Sequence, residues 1–335
     1  MGMNFTRRVV LTAPVTAVAA ARLRNAAAQT TPVPGLTWTE GAPIPQERSE
    51  LAAAVIDGQI YVVGGFGGGE RVDRYDVATE TWERVADLPV GVHHPGVAAL
   101  DGALYVGGGY SGDGDRAVDH LWAYDREAEA WEERESLPVA VGALGLAAVD
   151  GVLYAVGGAT ERLGGPVHGA VDAYDPTGDA WQPRAEMPTP REHLAVVAGA
   201  GVIYAVGGRA NGDEGDQFAG ANEVYDPARD AWAGLPALPA PRGGLTGVYA
   251  DGLVVVMGGE RGSDAYDDVN AYDPASAKWS ALPPLPIARH GLASAAVEGT
   301  VYAITGSVRA QAVENVATMH VLDLRGGIAT PVVEG

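Results

Sequence analysis

Residues 57–65 read Asp57-Gly58-Gln59-Ile60-Tyr61-Val62-Val63-Gly64-Gly65, and a loop then leads to Tyr75-Asp76, Trp82 and Pro89. An Asp-Gly pair between alternating apolar runs signals a β-hairpin, because both turn residues can adopt positive φ. The apolar run after it ends on a glycine doublet, which permits close backbone approach. Tyr75 and Trp82 stand seven residues apart, and Pro89 follows by seven more.

The whole pattern recurs along the chain. Glycine doublets stand at 64–65, 108–109, 157–158, 207–208 and 258–259, with Thr305-Gly306 as a degraded sixth copy. Their spacing averages about 48 residues, which points to a repeat architecture. Before them come Asp57-Gly58, Asp101-Gly102, Asp150-Gly151 and Asp251-Gly252, with Ala200-Gly201 and Glu298-Gly299 as variants. Tyr75, Tyr124, Tyr174, Tyr225 and Tyr272 each precede a Trp by seven residues (Trp82, Trp131, Trp181, Trp232, Trp279), and each Trp precedes a Pro by seven. Asp-Pro at 175–176, 226–227 and 273–274 suits a type I turn. Each unit reads as four short strands. The first is rich in Ala and Gly, which suits a crowded axis, and the third and fourth carry large aromatic faces for packing one unit on the next.

These residues closely resemble the kelch repeat over about residues 36–325. The resemblance implies an all-β fold, a β-propeller of four-stranded blades. The sixth unit has Leu322-Asp323 in place of Tyr-Asp and lacks its Trp, whereas Trp38 precedes Pro45 by the same seven residues. The expectation is therefore six blades, the last closed by the N-terminal strand pairing near Met319–Asp323. Kelch propellers serve as interaction modules, scaffolds and occasionally enzymes, so the fold implies no single function.

Composition narrows the possibilities. The chain of 335 residues has no Cys, which removes disulfides, thiolate metal sites, Cys nucleophiles and Fe–S clusters. The 47 Gly are about twice the usual share and disfavour helix. The formal charge is −21, and the only cations in residues 1–28 are Arg7, Arg8, Arg22 and Arg24, so the rest is more acidic still. Such a surface repels nucleic-acid phosphates and anionic lipid.

Residues 1–28 have the layout of an export signal: Arg7-Arg8, a weakly apolar run from Val9 to Ala21, and the small-residue site Ala26-Ala27-Ala28. Thr6-Arg7-Arg8-Val9-Val10-Leu11 resembles a twin-arginine signal, with Val10 where Phe is commonest. The expected organisation is a signal over 1–28, a linker over 29–35, the propeller over 36–325 and a tail over 326–335. The expected product is a monomer outside the cytoplasm, without a membrane anchor after cleavage.

At the lead-in to the first strands stand Arg48, Val92, Val141, Arg191, Arg242 and Arg289, so four of six blades present Arg at one level. His93, His193 and His290 lie beside them, and Arg209 and Arg261 follow the doublets of blades four and five. A cleft lined by one sign of charge attracts the opposite sign, and Arg suits carboxylates. These nine residues are expected to line the channel mouth and bind an anionic carbohydrate or a protein partner. The alternative role for each Arg is to bridge blade edges or to bond to loop carbonyls. No cofactor is expected. A metal site among the histidines is not expected either, because neighbours in a strand, such as His93 and His94, point to opposite faces. The acidic loops 111–115 and 211–216 read as solvated tips, since neither matches the calcium-loop spacing.

No catalytic constellation stands out. Galactose oxidase chemistry needs a Cys joined to a Tyr and is excluded. The Ser-x-Asp-x-Gly-x-Thr-Trp boxes of sialidases are absent. N-acetylneuraminate epimerase, an exported six-bladed kelch enzyme acting on an acidic sugar, is the closest enzymatic analogy and makes a carbohydrate-active enzyme the alternative to a binding module.

Overall fold

The computed structural model describes residues 35–111, 116–162, 165–210, 218–310 and 314–325. The expected signal and tail, the linker apart from Gly35, and both acidic loops apart from Ser111 lie outside these residues. Every regular element described is a β-strand, and no described helix is long and apolar enough to cross a membrane.

Six four-stranded antiparallel sheets form the blades of a propeller. Blade one consists of Ala52–Ile56, Gln59–Val63, Val72–Asp76 and Thr81–Arg84. Blades two to five repeat this order from Gly96, Gly145, Ala195 and Thr246. Blade six takes Ala293–Val297, Thr300–Ile304 and Met319–Asp323 from the C-terminal end and Thr39–Gly41 from the N-terminal end. Thr39 pairs with Val321 and Gly41 with Met319, so the ring closes as the Trp38 spacing predicts.

Local chemistry explains the turns. Asp57 and Gly58 have φ of 50° and 74°, and the equivalent pairs of the other blades also lie in the left-handed region. After the third strand, Asp76 Oδ1 accepts the backbone N–H groups of Ala78 and Thr79 at 3.0 and 2.9 Å. Asp125, Asp175, Asp226 and Asp273 do the same for their own turns.

The aromatic residues join blade to blade. Tyr75 and Trp82 are cross-strand partners with ring centroids 4.9 Å apart. Tyr61 packs on Tyr124 of the next blade at 6.3 Å, and the pairs 105–174, 154–225, 204–272 and 302–75 repeat that contact. In each blade the indole N–H of the repeat's Trp donates to a carbonyl four residues past the Trp of the preceding blade. The six bonds are Trp38 to Pro283, Trp82 to Ala42, Trp131 to Ala86, Trp181 to Glu135, Trp232 to Ala185 and Trp279 to Pro236, all 2.8–2.9 Å. This outer belt of hydrogen bonds closes only because Trp38 takes the place missing from unit six.

A second belt surrounds the axis. Glu50, His94, Ala143, His193, Gly244 and Gly291 occupy one position in successive blades, all with φ between 52° and 64°. Each N–H donates to the carbonyl of its counterpart in the preceding blade at 2.7–2.9 Å, and Glu50 closes the circle on Gly291. Below this belt the first strands line the channel with small side chains, among them Ala53, Ala98, Ala147 and Ala295.

Candidate functional site at the channel mouth

The loops before the first strand and after the second meet on one face, joined by bridges between Ser49 and Phe66, Glu192 and Arg209, Gly243 and Glu260, and His290 and Ser307. The six belt residues line a cavity of about 140 Å³ at the top of the channel. That is small beside the ~300–1,000 Å³ of ordinary small-molecule sites, so it admits one functional group of a larger ligand.

The four ring arginines do not face this cavity. Arg48, Arg191, Arg242 and Arg289 are wholly buried, each 0% exposed, and each guanidinium turns into its own blade. Arg48 donates to Asp73 at 2.6 Å and to the carbonyls of Gly64 and Arg71 at 2.8 Å. Arg191 pairs with Glu223 at 2.5 Å and reaches the Ala205 carbonyl at 2.7 Å. Arg242 bonds to the Gly258 carbonyl at 2.6 Å and to Asn270 Oδ1 at 3.0 Å. Arg289 bonds to Thr318 Oγ1 and His320 Nδ1, both at 2.9 Å. Their burial pulls Arg48, Arg242 and Arg289 down to about 10. The expectation that these four bind a ligand is thereby corrected. They satisfy buried carbonyls at the end of the second strand, groups that would otherwise lack partners.

A sequence signal for this existed. Asp73, Glu223, Asn270 and His320 are each the second residue of a third strand, and each stands in a blade that carries the Arg. Blade two, with Val92 instead, has Trp122 there. Blade three, with Val141, has Asp172, whose carboxyl burial pushes up.

The histidines do converge. His94 Nε2 lies 3.1 Å from Glu50 Oε2, and His290 Nε2 lies 3.4 Å from Glu50 Oε1 and 3.6 Å from Glu260 Oε2. His94 and His193 meet edge to face, with centroids 4.7 Å apart. His93 Nδ1 and His94 Nδ1 share a hydrogen bond of 2.6 Å, and His93 stacks on Phe66. His193 Nδ1 bonds to the Glu192 carboxylate, and Arg209 bonds to Glu260 while approaching Glu192 at 3.8 Å. Arg261 lies in the small hairpin Glu260–Arg261/Asp264–Ala265 that follows the glycines of blade five.

Burial sets the protonation of this cluster. Desolvation pushes Glu192 up to about 7 and raises Glu50. It holds His94 and His193 well below the usual histidine range, helped by neighbouring histidines and by Arg209 and Arg162.

The separation expected for adjacent histidines fails for a backbone reason. His94 has φ of 56°, which takes it out of the strand alternation and turns it towards Glu50 and His193. Glu50, His94, Glu192, Glu260 and Arg162 were absent from the expected site. Arg162 belongs to the loop of blade three, yet its guanidinium lies 5.8 Å from the centre of the Phe66 ring of blade one.

The kelch motif matches five consecutive stretches, residues 47–89, 92–138, 142–188, 190–239 and 241–286. The solved structure of YjhT superposes with a TM-score of 0.73 at 15% identity, covering 83% of this chain and 95% of that one, a likeness of fold. No curated protein matches the chain. The five motif matches fall on blades one to five, and the sixth blade is assembled from both ends of the same repeat pattern; the chain belongs to the kelch-repeat family.

Proposed function

We propose that this propeller is a binding module whose ligand enters at the channel mouth, and that it works outside the cytoplasm behind the leader formed by residues 1–28. A kelch propeller suits a binding or interaction role. One observation carries the choice of site. The belt position needs left-handed backbone, which Gly244 and Gly291 supply without strain; blade three places Ala143 there, and blades one, two and four place the polar Glu50, His94 and His193, which converge on one cavity. Left-handed backbone costs a non-glycine residue roughly 1–2 kcal/mol, and such strain tends to be retained where a side chain serves function.

The ligand class follows from the lining. The four buried arginines give no reason for an anionic ligand, and Arg209 is already paired with Glu260. Carboxyl groups, imidazoles and the partly exposed ring of Phe66, which stacks on His93, suit a hydroxyl-rich molecule, which offers donors, acceptors and an apolar face together. A carbohydrate is the best fit. Calorimetry with neutral and acidic sugars tests it, using the full chain and the variants Phe66→Ala and Glu192→Gln. Saturable binding weakened about ten-fold or more by either substitution is expected. Binding that both variants retain unchanged would place the ligand elsewhere.

An enzymatic role has one observation in its favour. Glu192, with its carboxyl near 7 and in contact with His193, has the pKa of a general acid–base group at neutral pH. Turnover of a bound sugar by the wild type, lost in Glu192→Gln, would identify an enzyme.

A further inference from the structure

We infer that Glu50, His94 and His193 form a binding site for one divalent first-row transition-metal ion at the top of the channel. The inference is independent of the carbohydrate reading, since the metal alone is its probe. The three side chains offer donor atoms that all lie within 4.8 Å of one another. Zinc bonds of about 2.0–2.2 Å to His and carboxylate would set neighbouring donors roughly 3.3 Å apart. Glu50 and His94 are already at 3.1 Å, and His193 has its donor atom within 4.8 Å of both.

The surroundings match what a metal requires of its ligands. A ligating imidazole normally has its second nitrogen held by a partner that fixes the ring and tautomer. His193 Nδ1 is held by Glu192, and His94 Nδ1 by His93. That leaves Nε2 of each ring as its ligand atom. The Glu50 carboxylate lies over Gly291, where a Cβ would come within 2.6 Å of Glu50 Oε1; the absent side chain makes room for it. His290 reaches the other Glu50 oxygen and adds a further imidazole beside the site.

Two imidazoles and one carboxylate are a borderline donor set that favours Zn²⁺, Fe²⁺ or Co²⁺ over Mg²⁺ and Ca²⁺. Glu50, Glu192 and Glu260 cluster at the mouth, and Arg209 engages Glu192 and Glu260. The left-handed backbone of all three ligand residues is the same strain already noted, here with a purpose, since it turns one side chain from each of three blades to a common point.

The test uses untagged full-length protein stripped with chelator and titrated with Co²⁺ and then Zn²⁺. The expected result is one equivalent of Co²⁺ with visible absorption from an imidazole–carboxylate centre, displaced by one equivalent of Zn²⁺. His94→Gln, His193→Gln and Glu50→Gln should each weaken binding at least 100-fold. Glu192→Gln, which meets the three ligand side chains only at the outer nitrogen of His193, should weaken it about ten-fold. His120→Gln, far out beside Glu133, should bind like the wild type. X-ray absorption of the zinc-loaded wild type should count two imidazoles, a result that needs no variant to fold. Absence of saturable one-equivalent binding, a shell without imidazole, or full binding in the His94→Gln, His193→Gln double variant would overturn the inference.

Discussion

The Glu50 carboxylate fills the space in which a side chain at Gly291 would begin: an added Cβ would lie 2.6 Å from both Glu50 Oε1 and Cδ, and 2.9 Å from the Glu50 nitrogen. The two residues are neighbours in the inner belt, where the Glu50 N–H donates to the Gly291 carbonyl at 2.7 Å. Closure of the ring and placement of the Glu50 carboxylate thus depend on the same glycine. Gly291→Ala should lower stability by about 1–3 kcal/mol through backbone strain and this clash. It should also displace the carboxylate. Urea unfolding with a crystal structure of the variant checks both, and an unshifted Glu50 in a fully stable variant would contradict the description.

The outer belt makes a separate prediction about closure. Trp38→Phe keeps most of the packing but removes the hydrogen bond to the Pro283 carbonyl, and should cost about 1 kcal/mol. Deletion of residues 36–45 removes Trp38 and the whole Thr39–Gly41 strand and exposes the edge of Met319–Asp323. The deletion should lower the melting temperature far more than Trp38→Phe. Equal melting curves for the deletion and the full chain would sink the closure.

His320 gives stability a pH dependence of known sign. Its Nδ1 accepts from Arg289 at 2.9 Å, and burial together with the Arg289 charge holds it below its ordinary 6.5, against a smaller opposing pull from Glu40. Above 6.5 neither the folded nor the unfolded state binds the proton. As pH falls below 6.5 the unfolded chain takes it up first, so stability is lost from there down to the lowered folded value. Asn270 accepts from Arg242 in the equivalent place of blade five, so His320→Asn keeps an acceptor without the titration. The melting temperature of this variant should fall less steeply than the wild type between pH 6.5 and 4.5. Parallel curves would show that His320 does not contribute.

The repeat, the blade count and the closing strand were legible because they rest on spacing, and register turns spacing directly into geometry: Tyr75 opposite Trp82 is a pairing that seven residues and a tight turn impose. The direction of a side chain at a loop position is not encoded in that way. Arg48 occupies a rim position in sequence, yet its guanidinium turns inward because the carbonyls of Gly64 and Arg71 and the carboxylate of Asp73 need donors. Reading strand three together with the rim would have shown it. His94 escaped for a different reason. Its left-handed φ, uncommon for a residue other than glycine, reverses the side that strand alternation assigns to it.

The central claim is a division of labour at the rim, in which the buried arginines hold the blades and the belt side chains serve the ligand. Urea unfolding of Arg48→Ala beside Glu50→Gly tests it directly. Arg48→Ala leaves the Gly64 and Arg71 carbonyls buried without this donor, while Asp73 keeps its pair with Arg71, and should cost about 2–3 kcal/mol. Glu50→Gly exchanges a strained left-handed residue for one suited to φ of 55° and should stay within about 1 kcal/mol of the wild type. A large loss in Glu50→Gly with little change in Arg48→Ala would contradict the account.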